Sequence, residues 1–118
     1  MILVDTSVWI EHLRKGNAQL KSFLIDELVL SHPFVAGELA CGGLRNREEI
    51  LSLFAALPAA RVAEHAEVLH FLKLHRLYGQ GLGWIDVHLL ASAMLSDCAI
   101  WTLDERLRKA SDKLGISL

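Results

Sequence analysis

The chain has 118 residues, 53% of them hydrophobic and 22% charged, with a formal net charge of −2 at pH 7. This length suits one domain with a single core, and the charge excludes a protein that coats nucleic acid through a strongly basic surface. No apolar run reaches the length of a membrane span, and the N-terminus lacks the pattern of a secretory leader, so we expect a cytoplasmic protein with no membrane partner.

Short strands and helices alternate in the predicted N-terminal half. A helix after the first strand is expected to stop near Gly16, and Pro33 suits the first turn of a later helix that stops at Gly42. Asn17 is a candidate cap for the helix between them. The predicted strands are 1–4 and 28–30, and the predicted helices are 7–14, 17–26 and 33–42.

The C-terminal half continues the alternation. Asn46 and Glu49 have the spacing of a capping box, and "GQGLG" at 79–83 indicates a loop. The segment "WIDVHLLASAMLSD" is apolar on nearly every face, which is typical of a central helix packed on two sides. The predicted helices are 46–57, 64–77, 84–97 and 104–115, and the predicted strands are 60–63, 99–103 and 116–118.

This order of elements predicts an α/β fold with one domain over residues 1–118. We expect a short, mostly parallel central sheet flanked by helices on both sides. Ligands of such sheets bind beyond the carboxyl ends of the strands. Asp5 directly follows the first strand and Asp104 follows the strand at 99–103, so both carboxylates are expected at that edge.

Four acidic residues stand out by their context. Besides Asp5 and Asp104, Glu38 lies in a helix among apolar and small residues, and Asp86 lies in the first turn of the most apolar helix. Helix-dipole or capping interactions explain three of them individually, but not Glu38. If all four converge, their repulsion must be offset, and a hard cation such as Mg²⁺ or Mn²⁺ is the simplest solution.

Two hydroxyl residues are placed to support these carboxylates. Ser7 lies two residues after Asp5, and Thr102 lies two residues before Asp104. Side chains that hydrogen-bond metal-binding carboxylates fix their orientation. Simple capping and strand propensity explain the same two residues equally well, and the sequence leaves both readings open.

The segments "ILVDTSVWI", "GEL", "GLGWIDVHLLASA" and "WTLDERL", in this order and spacing, resemble the PIN-domain ribonucleases, and among them the VapC toxins of toxin–antitoxin pairs. The resemblance runs from residue 1 to about residue 113. Residues 44–80 match only in helical character, so no substrate preference follows from it. The family's acidic residues correspond in type to Asp5, Glu38, Asp86 and Asp104.

The resemblance implies an endoribonuclease that depends on Mg²⁺ or Mn²⁺ and acts as the toxin of a type II toxin–antitoxin system. The four acids would be both catalytic residues and metal ligands, with metal-activated water cleaving RNA phosphodiesters. The implied partners are an RNA substrate, a VapB-like antitoxin and a second copy of the chain. The mean hydropathy of +0.34 agrees with an apolar surface that partners cover.

Substrate phosphates need cations near such an acidic centre. We predict RNA contacts for Arg106, Arg14 and Arg45, with Arg106 first because it follows Asp104 by two residues. The two cysteines, Cys41 and Cys98, form no metal or disulfide motif and are expected to be reduced, mostly buried thiols.

Three alternatives compete with a nuclease. A haloacid-dehalogenase-type phosphatase needs a second acid where Ser7 stands, and a phosphoacceptor receiver domain needs a lysine after a late strand, which "AIWTLDERL" lacks. The third is a catalytically silent PIN-like scaffold that only binds a protein partner. The four acids argue against it, but the sequence leaves it open.

Overall fold

Three short parallel strands form the central sheet of the computed structural model, which describes all 118 residues. They are β1 (Ile2–Val4), β2 (Val29–Leu30) and β3 (Ala99–Trp101), in the order β2-β1-β3. All three residues of β1 are buried because a strand paired on both sides lies at the centre of the core. The predicted α/β class with a parallel sheet is confirmed.

Seven helices surround the sheet, because parallel strands need long crossover connections. Of these, α6 is buried along seven successive residues, from Val87 to Ala93, and contributes to two separate apolar clusters. It is therefore the central helix that its apolar sequence predicted. The helices are α1 (Thr6–Lys15), α2 (Ala18–Ile25), α3 (Pro33–Ala40), α4 (Arg47–Ala55), α5 (His65–Leu74), α6 (Trp84–Leu95) and α7 (Glu105–Lys113).

None of these helices combines the length and hydropathy of a bilayer-crossing segment. Both cysteines are free thiols, and Cys98 is buried as expected. The expectation of burial is wrong for Cys41, which is exposed because it lies at the C-terminal end of α3.

Two predicted strands are wrong. Residues 60–63 and 116–118 form no strands, and the chain near them makes only single bridges, Ser31 to Ala59 and Ile100 to Ser117. The first bridge has two short hydrogen bonds, in which the Ser31 N–H donates to the Pro58 carbonyl and the Ala60 N–H donates to the Ser31 carbonyl, both at 2.8 Å. The edges of the sheet give these segments little backbone to pair with, because β2 has only two residues and β3 only three.

The capping box predicted at Asn46 is also wrong. Asn46 has left-handed backbone angles, φ +52° and ψ +44°, and its side chain caps nothing. A capping side chain needs an extended backbone to reach back to the first N–H groups of its helix. The cap predicted at Asn17 has that backbone, and its side chain accepts the N–H of Leu20 at 2.9 Å.

Candidate active site

The carboxylate of Asp5 lies at the carboxyl end of β1 and is only 7% exposed. Its Oδ2 accepts hydrogen bonds from Ser7 Oγ at 2.8 Å and from Thr102 Oγ1 at 2.7 Å. No hydrogen bond within the chain reaches Oδ1, and the side chain does not cap α1. The capping explanation for Asp5 therefore fails, and one of its oxygens stays available to a ligand.

The two hydroxyls that hold Asp5 also accept hydrogen bonds from the backbone. Ser7 Oγ accepts the N–H of Leu103 at 3.0 Å, and Thr102 Oγ1 accepts the N–H of Asp104 at 3.0 Å. Because each hydroxyl is oriented by a backbone donor, its own hydrogen is directed to the carboxylate. The structure thus brings Ser7 and Thr102 to Asp5, which is the supporting role that the sequence left open beside capping and strand propensity.

Glu38 reaches the same edge from α3. Its side chain is exposed rather than enclosed by its apolar neighbours, and Oε1 accepts a hydrogen bond from Thr6 Oγ1 at 2.6 Å. Thr6 is a site residue that the sequence analysis missed. The available signal was its position next to Asp5, where a second hydroxyl begins α1.

The pKa of Asp86 is affected by the charges of the other three carboxylates. It lies half-buried in the first turn of α6, where Oδ2 accepts the N–H of Gly83 at 2.9 Å. Burial raises the pKa of Asp86, the hydrogen bond from Gly83 opposes the rise, and the negative charges of Asp5, Asp104 and Glu38 add to it. The four predicted carboxylates therefore interact electrostatically at one place.

Asp104 has a structural role as well as a place in this cluster. It is the exposed N-cap of α7, and its Oδ1 accepts the N–H of Leu107 at 3.0 Å. The capping explanation therefore holds for Asp104, and it accounts for one of the two carboxylate oxygens.

The chemistry of this donor set fits a hard divalent cation. Its four carboxylates make no ion pair, since the salt bridges of the chain are Lys15 with Glu11 and Arg47 with Glu48. No group of three or more His, Cys, Asp or Glu side chains is arranged so that it could hold a metal ion directly. Mg²⁺ usually binds through one or two carboxylates and keeps several waters, so an open acidic cluster suits it.

The three predicted RNA-contacting arginines lie on different parts of the chain. Arg106 is exposed in the first turn of α7 and packs against Gly81, in the loop that precedes α6. Arg14 lies near the C-terminal end of α1, about 14 Å along the helix axis from Asp5 at ~1.5 Å per residue. Arg45 is exposed between α3 and α4.

A buried histidine joins the elements that carry two of the carboxylates. His32 follows β2 and caps α3, with Nδ1 accepting the N–H of Phe34 at 3.0 Å and Nε2 lying 2.9 Å from Ser92 Oγ on α6. Burial, with a smaller effect of nearby His88, lowers the pKa of His32 to about 4. At neutral pH the ring is therefore neutral, and because Nδ1 accepts, its proton is on Nε2 and is donated to Ser92.

Residues 2–113 match the sequence model of the PIN domain family. The chain belongs to this family, and the resemblance expected from the sequence is confirmed.

Among its relatives are two proteins named Ribonuclease VapC32, from Mycobacterium tuberculosis strains CDC 1551 / Oshkosh and H37Rv. Each is 45% identical over 119 residues, covering 100% of this chain and 96% of the relative. A similar solved structure is that of FitAcB from Neisseria gonorrhoeae, with a TM-score of 0.61, 23% identity, and coverage of 95% of this chain and 94% of that chain. At that identity the structural match supports the fold alone.

Proposed function

We propose that this chain is an endoribonuclease that depends on Mg²⁺ or Mn²⁺ and acts as the toxin of a type II toxin–antitoxin pair. The observation that carries the proposal is that the charges of Asp5, Asp104 and Glu38 all act on Asp86, with no compensating ion pair from the chain, while Asp5 lies at the carboxyl end of the central strand. Membership of the PIN-domain family and the name of the VapC32 relatives support it.

The carboxylates would hold the ion, and the ion would supply Lewis-acid activation of water and neutralise charge on the phosphodiester. Oδ1 of Asp5 is available for this, because the two hydroxyls bind the other oxygen. Asp86 loses proton affinity when a cation offsets the charges around it. The proposed ligands are Asp5, Glu38, Asp86 and Asp104.

The hydroxyls of this site keep the carboxylates in position. Ser7 and Thr102 fix the rotation of the Asp5 carboxylate, and Thr6 does the same for Glu38, which would otherwise be a mobile exposed side chain. Such outer contacts reduce the entropy that ordering the ligands costs when an ion binds.

Cations around the acidic cluster would bind the RNA backbone. Arg106 lies beside the loop that leads to α6 and is the first candidate. Arg45 is exposed between α3 and α4, and Arg14, near the C-terminal end of α1, would contact only RNA that extends along that helix. Contacts of this kind give affinity without sequence preference.

The proposed partners are a VapB-like antitoxin and a second copy of the chain, in the cytoplasm. Large apolar side chains on the surface support such partners, among them Leu53 at 61% and Leu74 at 63% exposure. Exposed apolar surface is typical of protein–protein contact sites.

The test is cleavage of a labelled total-RNA pool by the purified, partner-free protein in Mg²⁺, in Mn²⁺ and in EDTA. We expect discrete fragments that require metal and that disappear with Asp5→Asn and with Asp86→Asn, while both variants keep the fold by circular dichroism. Asp112→Asn is the matched control, since it removes an exposed carboxylate of α7 outside the cluster, and it should cleave like the parent.

Cleavage retained by Asp86→Asn would contradict the proposed site. Absence of metal-dependent cleavage by a folded, partner-free protein would instead favour the alternative, a catalytically silent PIN-like scaffold that binds a protein partner.

A further inference from the structure

The side chain of Arg106 lies directly across the backbone of Gly81. A Cβ atom on Gly81 would lie 2.8 Å from Nη1, 2.9 Å from Cδ and 3.1 Å from Cζ of Arg106. Real side chains do not approach so closely, so this packing needs a glycine. Gly81 also has a φ of +77°, which an L side chain rarely adopts.

Arg106 makes no ion pair and no side-chain hydrogen bond within the chain. It is exposed and stands two residues after Asp104. Its planar guanidinium therefore has its donors free, while contact with Gly81 restricts where they can point. A guanidinium held in this way is suited to bind one phosphate with two donors.

We propose that Arg106 binds a phosphate of single-stranded RNA next to the scissile bond, and that Gly81 is a positioning residue that holds Arg106 in place. The inference rests on the proposed function and assigns a specific role within it. Because the centre is acidic, an RNA strand that approaches it is repelled until a cation lies beside it. Arg106 supplies that cation at the N-terminal end of α7, beside the loop that leads to Asp86.

Two glycines of the same loop allow a matched comparison. Gly79 has a φ of +72° and nothing within 4 Å of the point where a Cβ atom would stand, whereas Gly81 has a φ of +77° and meets Arg106. Alanine strains the backbone in the same way at both positions, but only Gly81→Ala displaces the arginine. The displaced group is the far end of a flexible side chain, so the variant is expected to fold.

The experiment measures binding of a fluorescein-labelled single-stranded RNA as a function of salt. All variants carry Asp86→Asn, and the buffer contains no divalent ions, so that the RNA stays intact. We expect Gly81→Ala and Arg106→Ala each to weaken binding about tenfold and to lower the slope of log K against log salt by about one. The double variant should bind no worse than either single variant.

The control variants distinguish the effect of the position of the Arg106 guanidinium from the effects of its charge and of the stability of the fold. Gly79→Ala should bind like the parent, while its Tm falls as far as that of Gly81→Ala. Arg106→Lys should keep the salt slope, because it keeps the charge, and lose part of the affinity, because it loses the two-donor geometry.

Binding by Gly81→Ala equal to that of Gly79→Ala would overturn the role of Gly81, and an unchanged salt slope in Arg106→Ala would overturn the phosphate contact. A parent protein that binds no RNA in this metal-free buffer would overturn the phosphate contact as well, whereas the proposed function is decided separately by the metal-dependent cleavage test. These outcomes are distinguishable, because the first two require that the parent binds.

Discussion

The hydroxyl of Thr102 serves two groups at once, since it donates to buried Asp5 and accepts the N–H of Asp104. Thr102→Val keeps the shape and removes both hydrogen bonds. We expect it to lower the free energy of unfolding by about 2 kcal/mol, because a buried carboxylate loses a donor and a backbone N–H loses its acceptor. Urea unfolding in EDTA measures this change.

Thr6→Val is the control for that substitution. It removes a hydroxyl of the same residue type, but one that binds the exposed carboxylate of Glu38, which water can solvate instead. Its cost should stay below about 1 kcal/mol. Equal losses in the two variants would contradict the view that Asp5 depends on Thr102 for its solvation.

The four carboxylates also show which parts of a site a sequence can predict. Asp5 and Asp104 were predictable because both follow strands, and parallel strands bring their carboxyl ends to one edge. The exposure of Glu38 was not predictable, because the residues adjacent to it in sequence do not determine which face of α3 is exposed to solvent. The pairing of Thr6 with Glu38 depends on how α1 and α3 pack, a contact across 32 residues.

At the scale of elements, His32 connects the start of α3 to the middle of α6 through Phe34 and Ser92. Its folded pKa of about 4 lies below the unfolded value of 6.5, so the unfolded chain binds a proton that the folded chain rejects. This contribution to stability is complete above pH 6.5 and is lost as the pH falls toward 4. We expect the free energy of unfolding to drop by about 2 kcal/mol between pH 6.5 and pH 5 from this residue.

His32→Asn isolates that contribution. Asparagine is a good helix cap and can still accept the N–H of Phe34, but it does not titrate. Urea unfolding across the same pH range should therefore give a flatter profile for the variant than for the parent. Parallel profiles would show that another group is responsible for the loss.

The elements themselves were predicted best where the sequence pattern is strong. The central helix α6 and the cap at Asn17 were predicted correctly. The cap predicted at Asn46 was wrong because the backbone of Asn46 is left-handed. The strands at 60–63 and 116–118 failed for another reason. A short β-rich segment becomes a strand only if a neighbour offers enough free backbone, and the edges here offer one residue each.

At the scale of the whole molecule, the surface has two apolar grooves. Two protein partners, an antitoxin and a second copy of the chain, are proposed to bind it. The first has a volume of about 170 Å³ and is lined by residues of α1, α2 and α4, including Trp9, Leu53 and Phe54. The second has a volume of about 540 Å³ and lies between α5 and α6, with Leu74 and Met94 in its lining.

We predict that the second groove forms the homodimer, because it has the larger volume, about 540 Å³ against about 170 Å³, and stable dimers bury large surfaces. Leu74→Glu should then give a monomer in sedimentation velocity, since it places a charge in the contact. Leu53→Glu is the matched control, because Leu53 is as exposed as Leu74, 61% against 63%, but lines the first groove. A dimer that survives Leu74→Glu, or dissociates with Leu53→Glu, would contradict the assignment.

The central position of β1 has a consequence for synthesis. β1 is made first, but β3 and the hydroxyl of Thr102 arrive 97 residues after Asp5. At ~5–20 residues per second, a ribosome needs roughly 5–20 s to translate that interval. During this interval, Asp5 lacks one of its two hydroxyl donors, and Asp104 has not yet been synthesised. A growing chain proposed to cut RNA therefore lacks its complete acidic cluster until β3 and Asp104 have been translated.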